Sequence, residues 1–79
     1  MSESSKRLLS LLMVLGAQSP EKALGSEELA AKLGVGTSDV EDELKRLVDG
    51  GYAVSIGKSG ASKVYLTGTG VITASSTYS

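Results

Sequence analysis

The sequence predicts a small α+β fold, three helices followed by a two-stranded antiparallel hairpin. Three observations predict it. Apolar residues recur at helical spacing over three stretches, each marked by hydroxyl residues before it or by a helix breaker after it. Past Gly50 and Gly51 the apolar period drops to two, which is the strand signature. With 79 residues, 41% of them hydrophobic, the chain can build one core but has no room for a second domain. Residues 1–70 are expected to form that domain, and 71–79 a short strand or disordered tail.

The first helix is expected over residues 6–17. Ser4 or Ser5 caps it, Leu8, Leu11, Leu12 and Leu15 form the i, i+3, i+4, i+7 stripe, and Pro20 stops it ahead of a loop from Gln18 to Lys22. Lys6 and Arg7 before the apolar run Leu8 to Gly16 imitate a secretory signal. The run is shorter than the ~20 residues that span a bilayer, and its removal would strip a disulfide-free domain of core material. A structural helix is therefore expected.

A second helix is expected over residues 27–33, with Ser26 as cap, Glu27 and Glu28 favouring its positive end, and Gly34 as its left-handed stop. Its face is Leu29, Ala30 and Leu33. After the tight turn Gly34 to Gly36, Thr37 or Ser38 caps a third helix whose stripe is Val40, Leu44, Leu47 and Val48. The short turn forces these two helices to cross closely. Tyr52, Val54 and Ile56 then alternate as one strand and Lys63 to Thr67 as another, joined by the turn Gly57 to Ser62.

Composition excludes much chemistry. The chain has no Cys and no His, which removes the usual zinc sites, thiol nucleophiles and Ser-His-Asp arrangements. Zero cysteines also suit a reducing cytoplasm, the expected location. Phe and Trp are absent and only Tyr52, Tyr65 and Tyr78 are aromatic, so the core must be aliphatic. Gly57-Lys58-Ser59 imitates a phosphate loop, but the required earlier glycine position holds Tyr52 and a strand follows where a helix should. Gly34-Val35-Gly36 lacks the preceding strand of a dinucleotide site. The acids of the third helix lie on one exposed helix without loop ligands, so no metal is expected. No enzyme activity and no cofactor are predicted.

The string SEELAAKLGVGTSDVEDELKRLVDGGYAV, with VYLTGTG after the turn, resembles the winged helix-turn-helix family over about residues 6–70. A capped helix ending at Leu-Gly, a following helix closing on Leu-x-x-Leu, and a Gly before the first wing strand carry the resemblance. It implies an extended segment at Leu24 and Gly25 ahead of the second helix. It also implies DNA binding, with the third helix in the major groove and the hairpin, or wing, against phosphate or the minor groove.

Carried onto this chain, that function gives Thr37 and Ser38 backbone contacts, Lys45 and Arg46 the groove walls, and Lys58, Ser59 and Lys63 the adjoining phosphates. The partner would be double-stranded DNA and the role transcriptional regulation. The third helix departs from this pattern in charge. From Ser38 to Asp49 it holds five acids against two bases, net −3, and Asp42 stands where the family often has Arg, Gln or Ser. A carboxylate facing phosphate is repelled unless it accepts from a cytosine amino group. Two other readings therefore stand beside DNA contact. In one the face is simply solvated and tied by Glu41–Lys45 and Asp42–Arg46 spacings. In the other the protein is an interaction module that docks a protein partner through that acidic face or through the apolar back of the first helix. No acid occurs from Gly50 to Ser79, so the hairpin is the favourable half of any nucleic-acid surface.

Leu9, Met13 and Val14 lie off the stripe of the first helix. Burying each is worth about 1.5 to 3 kcal/mol, so a cover is expected. The run Val71, Ile72 is short for that purpose, and a homodimer through the first helix is the expected solution.

Overall fold

The computed structural model describes residues 2–57 and 62–78. The expected Lys58 and Ser59 contacts lie outside the described residues.

Helix α1 spans Glu3–Val14, three residues earlier than expected, because the cap is Ser2, whose side chain accepts from the Ser5 N–H at 3.2 Å. Gly16, not Pro20, stops it. Gly16 takes φ +77°, its N–H bonds the Met13 carbonyl, and the Ala17 N–H bonds the Leu12 carbonyl. This paired closure of the last turn needs a left-handed residue, which glycine supplies without strain. Pro20 instead opens a single 3-10 turn, Pro20–Lys22.

Strand β1 (Leu24–Gly25) is the extended segment that the resemblance implied. Helix α2 covers Ser26–Leu33 and α3 covers Thr37–Asp49. Their caps differ from expectation: Gly25 and Gly36 occupy the cap positions, with no side-chain bond. The hydroxyls of Ser26 and Thr37 therefore sit one residue inside their helices, where they cannot cap them. Strands β2 (Ala53–Ile56) and β3 (Lys63–Leu66) form the hairpin, and β3 lies in the middle of a three-stranded antiparallel sheet ordered β1-β3-β2. Leu24 faces Val64 on one side of β3, while Ser55 faces the same Val64 on the other.

The segment expected as a short strand or disordered tail is helix α4, Gly68–Tyr78. Thr67 caps it, accepting from the Gly70 N–H at 3.0 Å, and α4 packs along α1. Tertiary packing overrides the low helix propensity of its Gly, Thr, Val and Ile residues here.

The core is aliphatic: Leu8, Leu9, Leu12, Leu29, Leu47 and Leu66 are fully buried, and Val40, Val64 and Ala74 join them. Two of the expected interface residues change role as a result. Leu9 is buried inside its own chain, so it cannot present itself to a second copy. Met13 is half-buried against that core, with the Ser75 hydroxyl of α4 at 3.4 Å from its sulfur. The cover sought for the back of α1 is thus largely the chain's own last helix. Val14 alone of the three stays open, at 61% exposure.

Candidate nucleic-acid interface

The stripe Val40, Leu44 and Leu47 fixes the rotation of α3 by burying one side of it, and Val48 is half-buried beside them. The opposite side is left to solvent, and Ser38, Asp39, Asp42, Lys45, Arg46 and Asp49 are all exposed there. Thr37, in the first turn, is half-buried.

The structure separates the two bases of this helix. Lys45 lies on the hairpin side, in a groove whose floor is Leu44, Val48 and Val64 and whose rim carries Ser26, Ser55, Ser62 and Glu41. Arg46 lies on the α1 side, in a cleft shared with Ser4, Arg7, Asp39, Asp42 and Glu43. Its ion pair is with Glu43 at 2.6 Å, three residues back, rather than with Asp42 as the spacing suggested. No described acid pairs with Lys45.

Lys63 is exposed at the start of β3, opposite Ile56 of β2 and Gly25 of β1. Side chains alternate along a strand, so Lys63 points away from the side on which Ser62 and Val64 meet the groove. Lys45 and Lys63 therefore do not form one patch. Among the bases of α1 and α2, Arg7 shares the cleft of Arg46, while Lys6 is half-buried and Lys32 exposed elsewhere.

Sequence reasoning missed two features. Ser26 and Ser55 join Lys45 only through the β1-β3-β2 register, for which no local signal exists. Ser5 did carry a signal: it stands on the buried face with Leu8, Leu9 and Leu12, and a polar residue there needs a partner. That partner is Glu43, whose Oε2 accepts from the Ser5 hydroxyl at 2.5 Å. Among the described residues no buried side-chain nitrogen or oxygen lacks a bond, and no group of three or more acids could hold a metal ion. No described helix is long and apolar enough to cross a membrane.

No protein-family model and no curated protein matches the chain. Solved structures do. TubR from Bacillus megaterium pBM400 superposes with a TM-score of 0.82 at 20% identity, over 92% of this chain and 81% of that one. A MarR family protein from Bacillus stearothermophilus superposes with a TM-score of 0.81 at 17% identity, over 99% of this chain and 51% of that one. Both are winged-helix proteins, and the fold of this chain is a winged helix with a fourth helix closing it.

Proposed function

We propose that this winged helix binds duplex DNA as a small transcriptional regulator, with α3 toward the major groove and the hairpin on phosphate. One observation carries the reading: Lys45 stands exposed and without an ion-pair partner among the described residues, in a groove rimmed by the hydroxyls of Ser26, Ser55 and Ser62 and by the Glu41 carboxylate. A cation among hydroxyl donors suits phosphate and sugar oxygens, which take half or more of the hydrogen bonds in protein–DNA contacts. The fold supports the geometry, since a winged helix presents α3 and its hairpin side by side. Lys63, Lys58 and Ser59 would extend the phosphate contacts along the hairpin, and Thr37 and Ser38 those at the start of α3. Base readout by Asp42 is not part of the reading.

The test is binding to a pool of randomised duplexes over a range of salt. Affinity should fall linearly with salt on logarithmic axes, and selection from the pool should enrich a defined site. Absence of salt-dependent binding to any duplex at low ionic strength overturns the reading. A second reading has its own support: Asp39, Glu41, Asp42 and Asp49 are exposed with no ion-pair partner among the described residues, a surface suited to a basic protein. Binding to such a partner that Asp42→Asn abolishes, in a chain inert toward duplex, would favour it.

Pairing with a second copy through α1 belongs to the same proposal, narrowed to the apolar side chains left open. Val14 on α1 and Ile72 on α4 support it, exposed at 61% and 70%.

A further inference from the structure

We propose that Glu43 is an intramolecular competitor for Arg46, holding back a base that duplex would otherwise engage; the inference rests on the DNA reading above. The Glu43 carboxylate has two partners on two elements. Its Oε1 accepts from Arg46 Nη1 at 2.6 Å within α3, and its Oε2 accepts from the Ser5 hydroxyl of α1 at 2.5 Å. The Ser5 hydroxyl in turn accepts from that of Ser2 at 3.0 Å, at the capped start of α1.

Exposure decides which partner is free to leave. Ser5 is 5% exposed, and in the ion pair the Glu43 side chain is 15% exposed against 67% for Arg46. The carboxylate is therefore anchored against α1 and the guanidinium is the mobile member. A pair at this spacing whose cation is open to solvent is a weak tie that salt screens. When Arg46 swings to a phosphate, Glu43 keeps its bond from Ser5, so the exchange does not strand a half-buried carboxylate. The acids of the outer face act differently. Asp42 and Asp49 repel phosphate without a bond to any described base, whereas Glu43 both repels and restrains.

Glu43→Gln tests this, because the amide oxygen still accepts from Ser5 while the charge is lost. Duplex affinity should rise several-fold at about 50 mM salt. Gaining one phosphate contact steepens the salt dependence by about 0.9, so the loss of affinity between about 50 and about 200 mM should grow by a further ~3.5-fold. Adding Arg46→Ala should abolish that increment. Asp49→Asn removes an equal charge from the same helix, at a residue outside both grooves and with no described bond to Arg46. An equal steepening there overturns the proposal, and so does wild-type binding that Glu43→Gln leaves unchanged in slope. If neither wild type nor Glu43→Gln binds duplex, the DNA reading falls and the competitor role falls with it. Should Glu43→Gln fail to fold, wild type carries the test. In the wild-type chain the Arg46 guanidinium NMR signals should stay fixed when duplex is added, and signals that shift in a chain that binds overturn the proposal.

Discussion

Gly70 lies directly beneath the backbone of Tyr52: a Cβ placed on Gly70 would sit 1.9 Å from the Tyr52 carbonyl oxygen and 3.2 Å from Leu66 Cδ2. The same oxygen accepts from the Thr67 N–H at 3.0 Å, so the residue entering the hairpin and the first turn of α4 are locked together. Gly70→Ala cannot be absorbed by a side-chain rotation, because the clash is with backbone. Overpacking of this kind costs about 1–3 kcal/mol. The urea midpoint should fall accordingly; a midpoint equal to that of wild type would mean that α4 does not pack where the structure places it.

Thr67 makes the other half of that lock. Its hydroxyl accepts from the Gly70 N–H at 3.0 Å and donates to the Gly51 carbonyl at 2.7 Å, tying the start of α4 to the end of α3. Thr67→Ala removes a helix cap and a second bond, a loss of roughly 1–2 kcal/mol. Amide exchange should quicken in α4 before it quickens in α1. Uniform exchange across the chain would contradict the local role.

How far the sequence was legible follows from these residues. Helix α3 was readable because its apolar stripe is regular and two glycines end it, and the period-two switch marked β2 and β3. Helix α4 was not, since Gly-Thr-Gly-Val-Ile reads as a turn or strand by propensity. Its real signals are Thr67 at the cap and the spacing of Gly70, Val71 and Ala74, where small residues admit a close approach. At the candidate site, the exposed face of α3 followed from its stripe. The split between Lys45 and Arg46 did not. Both Asp42 and Glu43 stand within one turn of Arg46, and only the position of Ser5 across the α1–α3 contact selects Glu43.

The separation of Lys45 from Lys63 gives a graded expectation for DNA binding. Each substitution to Ala should weaken binding about equally across sequences and lower the salt slope by about one. The two should add, because the side chains lie on different sides of the hairpin and share no partner. Lys58→Ala should resemble Lys63→Ala. Electrophoretic or fluorescence titrations at several salt concentrations would check this, and a Lys45→Ala protein with an unaltered slope would remove the groove beside α3 from the contact surface.

Leu9 and Val14 separate the two ways of covering the back of α1. Leu9 is fully buried within one chain, so Leu9→Ala should cost about 2–5 kcal/mol through the cavity it leaves. That loss should be the same at every protein concentration, because the contacts removed are internal. Val14 is 61% exposed, and Val14→Glu should leave the fold's stability within about 0.5 kcal/mol as a surface change. Its effect should fall on assembly instead. Sedimentation equilibrium at tens of micromolar should show the wild-type chain as a pair of 8.1 kDa protomers and Val14→Glu as a single folded one. A wild type that sediments only as a monomer removes the pairing proposal. A dimer that survives Val14→Glu, and also Ile72→Glu, would place the contact on another face.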